Sequence, residues 1–170
     1  MIDLEKSNSR SPYKLLPSST HGFYEFVTDF GVHYQIGFMF DCSIISENAY
    51  QFVITNINNK VSPNDDKVRE TIMIMVDEFF KKNYNTLLYI CETGDGKQAM
   101  RNRLFHYWFS LYDRFCEFTC LSSSIIDMDG VQNFATLIVR NDNPKLVDIV
   151  SEFSETISLL NNKPSSTGEA

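Results

Sequence analysis

The chain reads as an α/β (α+β) fold: a mixed, mainly antiparallel sheet flanked by helices, in the order βββ-α-β-α-ββ-α. Three observations carry that reading. Aromatic and branched residues alternate over Phe23–Phe40 and again over Glu117–Val139, each time around a short glycine turn, which is the pattern of β-hairpins. Thr86 to Cys91 is a near-continuous apolar run, the mark of a strand buried on both faces. Between and after these runs, apolar residues recur at helical spacing.

The elements follow in order. Phe23–Thr28 and Val32–Phe40 form a hairpin around Asp29-Phe30-Gly31, and Val32, Tyr34, Ile36, Phe38 and Phe40 share the face expected to meet the core. Gln51–Ile57 suits a third strand. Ser62 is placed to cap a helix, Pro63 fits its first position and Asp65 stands three residues after the cap. Val68, Ile72, Met75, Val76 and Phe79 then give its buried stripe, up to an exit at Lys81, Lys82 and Asn83. After the central strand, a second helix is expected to bury Met100, Leu104, Trp108, Leu111 and Phe115. Glu117–Ile126 and Val131–Val139 make the second hairpin. Asn143 caps and Pro144 opens a last helix, whose stripe is Leu146, Ile149, Val150, Phe153, Ile157 and Leu160.

Residues 1–20 mix charge, serine and proline without a period and read as a flexible arm unless docked. Residues 21–160 read as one globular domain and 161–170 as a flexible tail. A chain of 170 residues is long enough to bury roughly 70% of its unfolded surface in one core. Fourteen Phe and eight Tyr are many for that length, and they suit either a core or a partner surface.

Charge and composition exclude several functions. A net charge of -7 repels phosphate backbones, so no nucleic-acid role is expected. No apolar run reaches the roughly 18 residues of a membrane span. Cys42, Cys91, Cys116 and Cys120 lack CxxC spacing and follow no signal peptide, so they read as reduced, buried thiols of a cytoplasmic protein. No His or Cys pair completes a zinc site beside Cys116 and Cys120. Asp127, Asp129 and Gly130 lack the remaining ligands of a calcium loop, and no metal is expected. Ser122–Ser124 has no GxSxG context.

The best site candidate lies in LLYICETGDGKQAMRNRLFHYWF, from Leu87 to Phe109. A strand that ends in the Gly94-Asp95-Gly96 turn, with Lys97 and Arg101 opening the next helix, directs backbone N–H groups and cations toward one crevice. Gly94, Asp95, Gly96, Lys97 and Arg101 are therefore the candidate set for a small anionic ligand. The same cations equally suit a solvated face paired with Glu92 or Asp95. The turn is not a P-loop, because the earlier glycine and the Ser or Thr after the lysine are missing. Glu92 is a candidate base, but roughly 13 Å of helix separates His106 from Lys97, too far for a shared proton.

The succession of elements over Phe23–Val139 resembles the core of the GNAT acyltransferases. In that family a strand meander leads to a helix, a strand, a second helix and a closing hairpin. The resemblance implies an acyl-CoA cofactor, such as acetyl-CoA, whose pyrophosphate rests on glycine-rich backbone between the third strand and the first helix. The corresponding stretch here, NINNKVSPNDDK, has no glycine and sets Asp65 and Asp66 toward the phosphates. The family's leaving-thiolate acid, a tyrosine on the second helix, aligns with Phe105, and Tyr107 lies two residues on.

The patterns DKVRETI with EFF, YICETGDGKQAMRNRLFHYWF and NPKLVDIVSEF are also similar to a small bacterial family of uncharacterised function. Taken together, the sequence is read as a degenerate GNAT-like domain that acts by ligand or protein binding. Its enzymatic alternative is an acyl-CoA-dependent N-acyltransferase with Glu92 as base and Tyr107 as acid. A second alternative is a homodimeric interaction module built on exposed aromatics.

Overall fold

A computed structural model describes residues 2–81, 83–91 and 96–162. The elements are α1 (Leu4–Arg10), β1 (Leu16–Pro17), β2 (Phe23–Val27), β3 (His33–Phe40), β4 (Ala49–Asn56) and α2 (Asp66–Phe80), followed by β5 (Thr86–Cys91), α3 (Gln98–Tyr112), β6 (Phe118–Ile126), β7 (Gln132–Arg140) and α4 (Leu146–Asn161). Among the described residues the strands form one sheet in the order β1-β2-β3-β4-β5-β7-β6. Every neighbouring pair is antiparallel except β4 and β5. The expected mixed, mainly antiparallel sheet with flanking helices is therefore present, in the expected order from β2 to α4.

Alternation along the strands sorts side chains onto two faces, and a separate core forms on each. On one face α2 and α3 cover Tyr24, Phe26, Ile36, Phe52, Leu87, Tyr89 and Ile138. On the other, α4 buries Ile149, Phe153 and Ile157 against Leu88, Ala135, Leu137 and Val139. The strand β5 contributes to both cores, as its apolar run requires. Most of the aromatic excess goes into the first core, where rings meet in two groups, Tyr13, Phe26 and Tyr34 in one and a larger set that includes Phe38 on Phe79 at 4.4 Å and Tyr89 against Phe105 at 4.2 Å in the other.

The N-terminal residues, expected as a flexible arm, are docked instead. The helix α1 is capped by Asp3, whose carboxylate accepts from the Lys6 N–H, and β1 adds an edge to β2. Tyr13 and Leu15 are buried. Asn8 accepts from the Leu15 N–H and donates to the Leu15 carbonyl, closing the arm on itself, while Arg10 reaches Asp77 of α2 at 2.6 Å. A short helix held by distant partners leaves little periodicity for sequence to show. Residues 163–170 of the expected tail lie outside the described residues, and Asn161 closes α4.

Smaller departures have local causes. The helix α2 starts at Asp66 with Asp65 as its cap, and Ser62 instead accepts a hydrogen bond from the Tyr34 hydroxyl. In β3, Tyr34, Ile36 and Phe38 meet the core, but Phe40 runs past it and is 62% exposed. Asn143 takes the Lys145 N–H with its side chain just before α4. The largest departure is in α3, where the buried positions are Gln98, Asn102, Phe105 and Phe109. Met100, Leu104, Leu111 and Phe115 of the expected stripe are exposed and Trp108 is half-buried, so the helix is turned by about one residue, or 100°. Cys42 and Cys116 are exposed rather than buried, because both fall in loops, with Cys116 at a left-handed φ of 52°.

Candidate functional site

The parallel pair β4 and β5 is in register from Ala49↔Thr86 to Phe52↔Tyr89. Beyond that point β4 continues to Asn56 with β3, and β5 continues to Cys91 with β7. The two central strands thus stop pairing near the carboxyl end of β5, where a GNAT-like site would open. An aromatic cluster packs over the last paired residues, Phe52 and Tyr89. Phe105 of α3 meets Tyr89 at a tilt, 4.2 Å between ring centres, and lies 5.9 Å from Phe52, and it is only 2% exposed. The resemblance aligned Phe105 with a catalytic position; in the structure it is a buried core ring.

Of the expected ligand set, Gly96, Lys97 and Arg101 lie at the start of α3. Glu92, Gly94 and Asp95 lie outside the described residues. Gly96 has φ +70°, which favours glycine, and Lys97 directly precedes α3. Arg101 lies close enough to β5 for its charge to favour the ionised forms of Tyr89 and Cys91. Burial outweighs it and raises the pKa of both groups. Tyr107 is 57% exposed on the face of α3 turned away from the sheet, so it is not brought to the β5 corner.

Sequence reading missed a polar ladder under α3. Asn102 donates to Ser122 Oγ at 3.2 Å, and Thr136 donates to Asn102 Oδ1 at 3.0 Å. His106 Nε2 lies 3.1 Å from Thr136 Oγ1, and Cys120 Sγ lies 3.7 Å from His106 Nδ1. A neutral His106 protonated on Nε2 satisfies every link: it donates to Thr136 and accepts from the Cys120 thiol. Burial supports that state, lowering the His106 pKa and, with Asp113, pushing Cys120 up to about 11. A thiol at that value is not a thiolate nucleophile at neutral pH, so the Cys–His pair fastens helix to sheet. The helical spacing of Gln98, Asn102 and His106 was the available signal, but hydropathy assigns such residues to solvent.

The start of α2, where a GNAT coenzyme's pyrophosphate would lie, is acidic. The Asp65 carboxylate accepts from the Lys67 N–H at 3.0 Å and from the Tyr13 hydroxyl at 2.6 Å, and Asp66 occupies the first turn. The Lys67 ammonium is drawn 2.6 Å from Asp29. One of the donors an anion needs is taken and the local charge has the wrong sign, so these residues do not fit the pyrophosphate of an acyl-CoA. Among the described residues, no group of three or more His, Cys, Asp or Glu side chains is placed to hold a metal ion.

A cavity of about 770 Å³ opens at the opposite end of the sheet, between the end of β3, the start of β4 and the last turns of α2. Phe38, Phe40, Tyr50 and Phe79 form its aromatic wall. Tyr50 meets both Phe40 and Phe79 edge-on, at 5.5 Å in each case. Glu78 lines it from α2 beside Asn48, Asn83 and Asn85, and Ser18, Thr20 and His21 line it from the connection between β1 and β2.

Among the described residues these features define an α+β domain with one parallel strand pair, an aromatic cluster where that pair ends and a separate aromatic cavity. The chain belongs to the family of unknown function DUF6169, whose model matches residues 64–155, from just before α2 into α4. No curated protein and no solved structure matches the chain. No helix among the described residues is long and apolar enough to cross a membrane.

Proposed function

We propose that this chain is a ligand-binding domain on a GNAT-like scaffold that has given up acyl transfer, with the aromatic cavity at the β3–β4–α2 end as its ligand site. The strand order and the single parallel pair that parts midway support the scaffold reading. The observation that carries the loss of transfer is the Phe52–Tyr89–Phe105 ring cluster, which packs over the last paired residues of β4 and β5, at the point where the strands part. The acidic start of α2 agrees with it, since a coenzyme would have to displace the Asp65 cap and desolvate Asp66. Cavities of several hundred cubic ångströms with apolar walls and few polar groups are the usual form of small-molecule sites.

A melting experiment tests this reading. A ligand at a hundredfold excess over its dissociation constant stabilises a protein by about 2.7 kcal/mol. Acetyl-CoA in large excess is expected to leave the midpoint unchanged. A dose-dependent rise would restore the transferase alternative.

A further inference from the structure

Helix α3 has a second apolar face that the core does not use. Phe105 and Phe109 are buried, while Met100, Leu104, Tyr107 and Leu111 are 39–57% exposed and Trp108 is half-buried. At 100° per residue these last five positions share one arc of about 100°, largely opposite the buried ones, and run along about 17 Å of the axis. In its C-terminal half the stripe borders a groove of about 330 Å³, which Met73 and Ile74 of α2 line together with Trp108 and Leu111.

The charge around this stripe is opposite in sign to that of the molecule. The chain carries a net -7, yet α3 has no carboxylate from Gln98 to Tyr112. Arg103 is exposed and forms no ion pair among the described residues, and Arg114, also exposed at the groove, donates to the Leu111 carbonyl. Asp113 is turned to its own loop, where it accepts from the Glu117 and Phe118 N–H groups. Across the groove, Arg10 and Arg69 are held by Asp77 and Asp66.

We infer that this face of α3 docks an acidic amphipathic helix of a partner protein, with apolar residues along the stripe from Met100 to Leu111 and carboxylates toward Arg103 and Arg114. Charge complementarity selects that occupant. A second copy related by a two-fold axis would set arginines against arginines. An anionic bilayer would spread its charge over a wider area, the acidic start of α2 included, in a molecule that is negative as a whole. A single helix meets only the local cationic strip. The inference is independent of the aromatic cavity, with which the groove shares no lining residue.

The test uses two fluorescein-labelled synthetic helical peptides with the same leucine stripe, one flanked by glutamates and one by lysines, titrated with the full chain and read by anisotropy. The glutamate peptide is expected to bind saturably, about tenfold or more tightly than the lysine peptide, and to weaken as sodium chloride rises from about 50 to about 300 mM. Arg103→Glu combined with Arg114→Glu, both at exposed positions, is expected to abolish that preference. Leu104→Ala combined with Leu111→Ala is expected to weaken the glutamate peptide about fivefold or more. Equal affinity for the two peptides, an unchanged affinity in the arginine variant, or no binding of the glutamate peptide at about 100 μM would each overturn the inference. So would binding to vesicles of phosphatidylcholine and phosphatidylserine at about 3:1 without peptide binding, which assigns the face to a membrane. A concentration-dependent dimer in sedimentation that the leucine variant abolishes would assign the face to a second copy and overturn it as well. If the leucine variant does not fold, the peptide comparison and the arginine variant still decide the outcome.

Discussion

At the scale of single residues, Asp77 joins the N-terminal arm, α2 and α3. Its carboxylate takes Arg10 at 2.6 Å, Lys81 at 3.0 Å and the Tyr112 hydroxyl at 2.9 Å. Burial pushes its pKa up, but those three partners together outweigh burial and hold it below the usual aspartate value. A depressed folded-state pKa contributes stability that is fully present above the unfolded value, near 3.9, and is lost as pH falls through the folded value. Asp77→Asn is therefore expected to lower stability at neutral pH by roughly 1–2 kcal/mol, reduced by the partial exposure of Arg10 and Lys81. It should also flatten the acid limb of the stability–pH curve. Urea melts between pH 7 and pH 3 check this, and parallel curves for the two proteins would count against it. Nothing in sequence pairs Asp77 with Arg10, because the contact spans 67 positions of chain. The turn at Asp127 was legible, because Asp127 accepts from the nearby Asp129 and Val131 N–H groups and serine, asparagine and aspartate turns of this kind are local.

At the scale of elements, the strands and the four-residue rhythm of α2 and α4 were readable, since each buries an ordinary apolar stripe. The helix α3 was misoriented for a physical reason. Two of its four buried positions are Gln98 and Asn102, which pay for burial with hydrogen bonds to β6 and β7 that hydropathy cannot register. Its aromatic concentration also has a use invisible in one dimension: Phe105 packs on Phe52 and Tyr89 where β4 and β5 stop pairing, and Phe109 carries the ring contacts on to Phe118 of β6. Asn102→Ala removes one partner each from Ser122 and Thr136, which keep their mutual hydrogen bond and, for Thr136, the contact with His106, and is expected to cost roughly 1 kcal/mol by chemical denaturation. A loss under a few tenths of a kcal/mol would show that water replaces the amide and that the ladder contributes little.

At the scale of the whole molecule, the sheet puts two different spaces at its two ends. At the carboxyl end of β5 the two strands stop pairing, with Phe105 packed on the last paired residues and Asp65 and Asp66 at the start of α2. At the other end the sheet and α2 leave an aromatic cavity with a withdrawn carboxylate. The first space was foreseeable from the strand-turn-helix at Leu87–Phe109. The second draws on segments that are remote in the chain, among them Phe38, Tyr50 and Glu78, and no local motif announces it. The central claim is that the first space is closed to an acyl-CoA. Backbone amide resonances followed by NMR during an acetyl-CoA titration test it directly: the account predicts no saturable shift at Val53, Ile90, Cys91, Lys67 or Val68, and saturable shifts at those amides sharing one dissociation constant would contradict it.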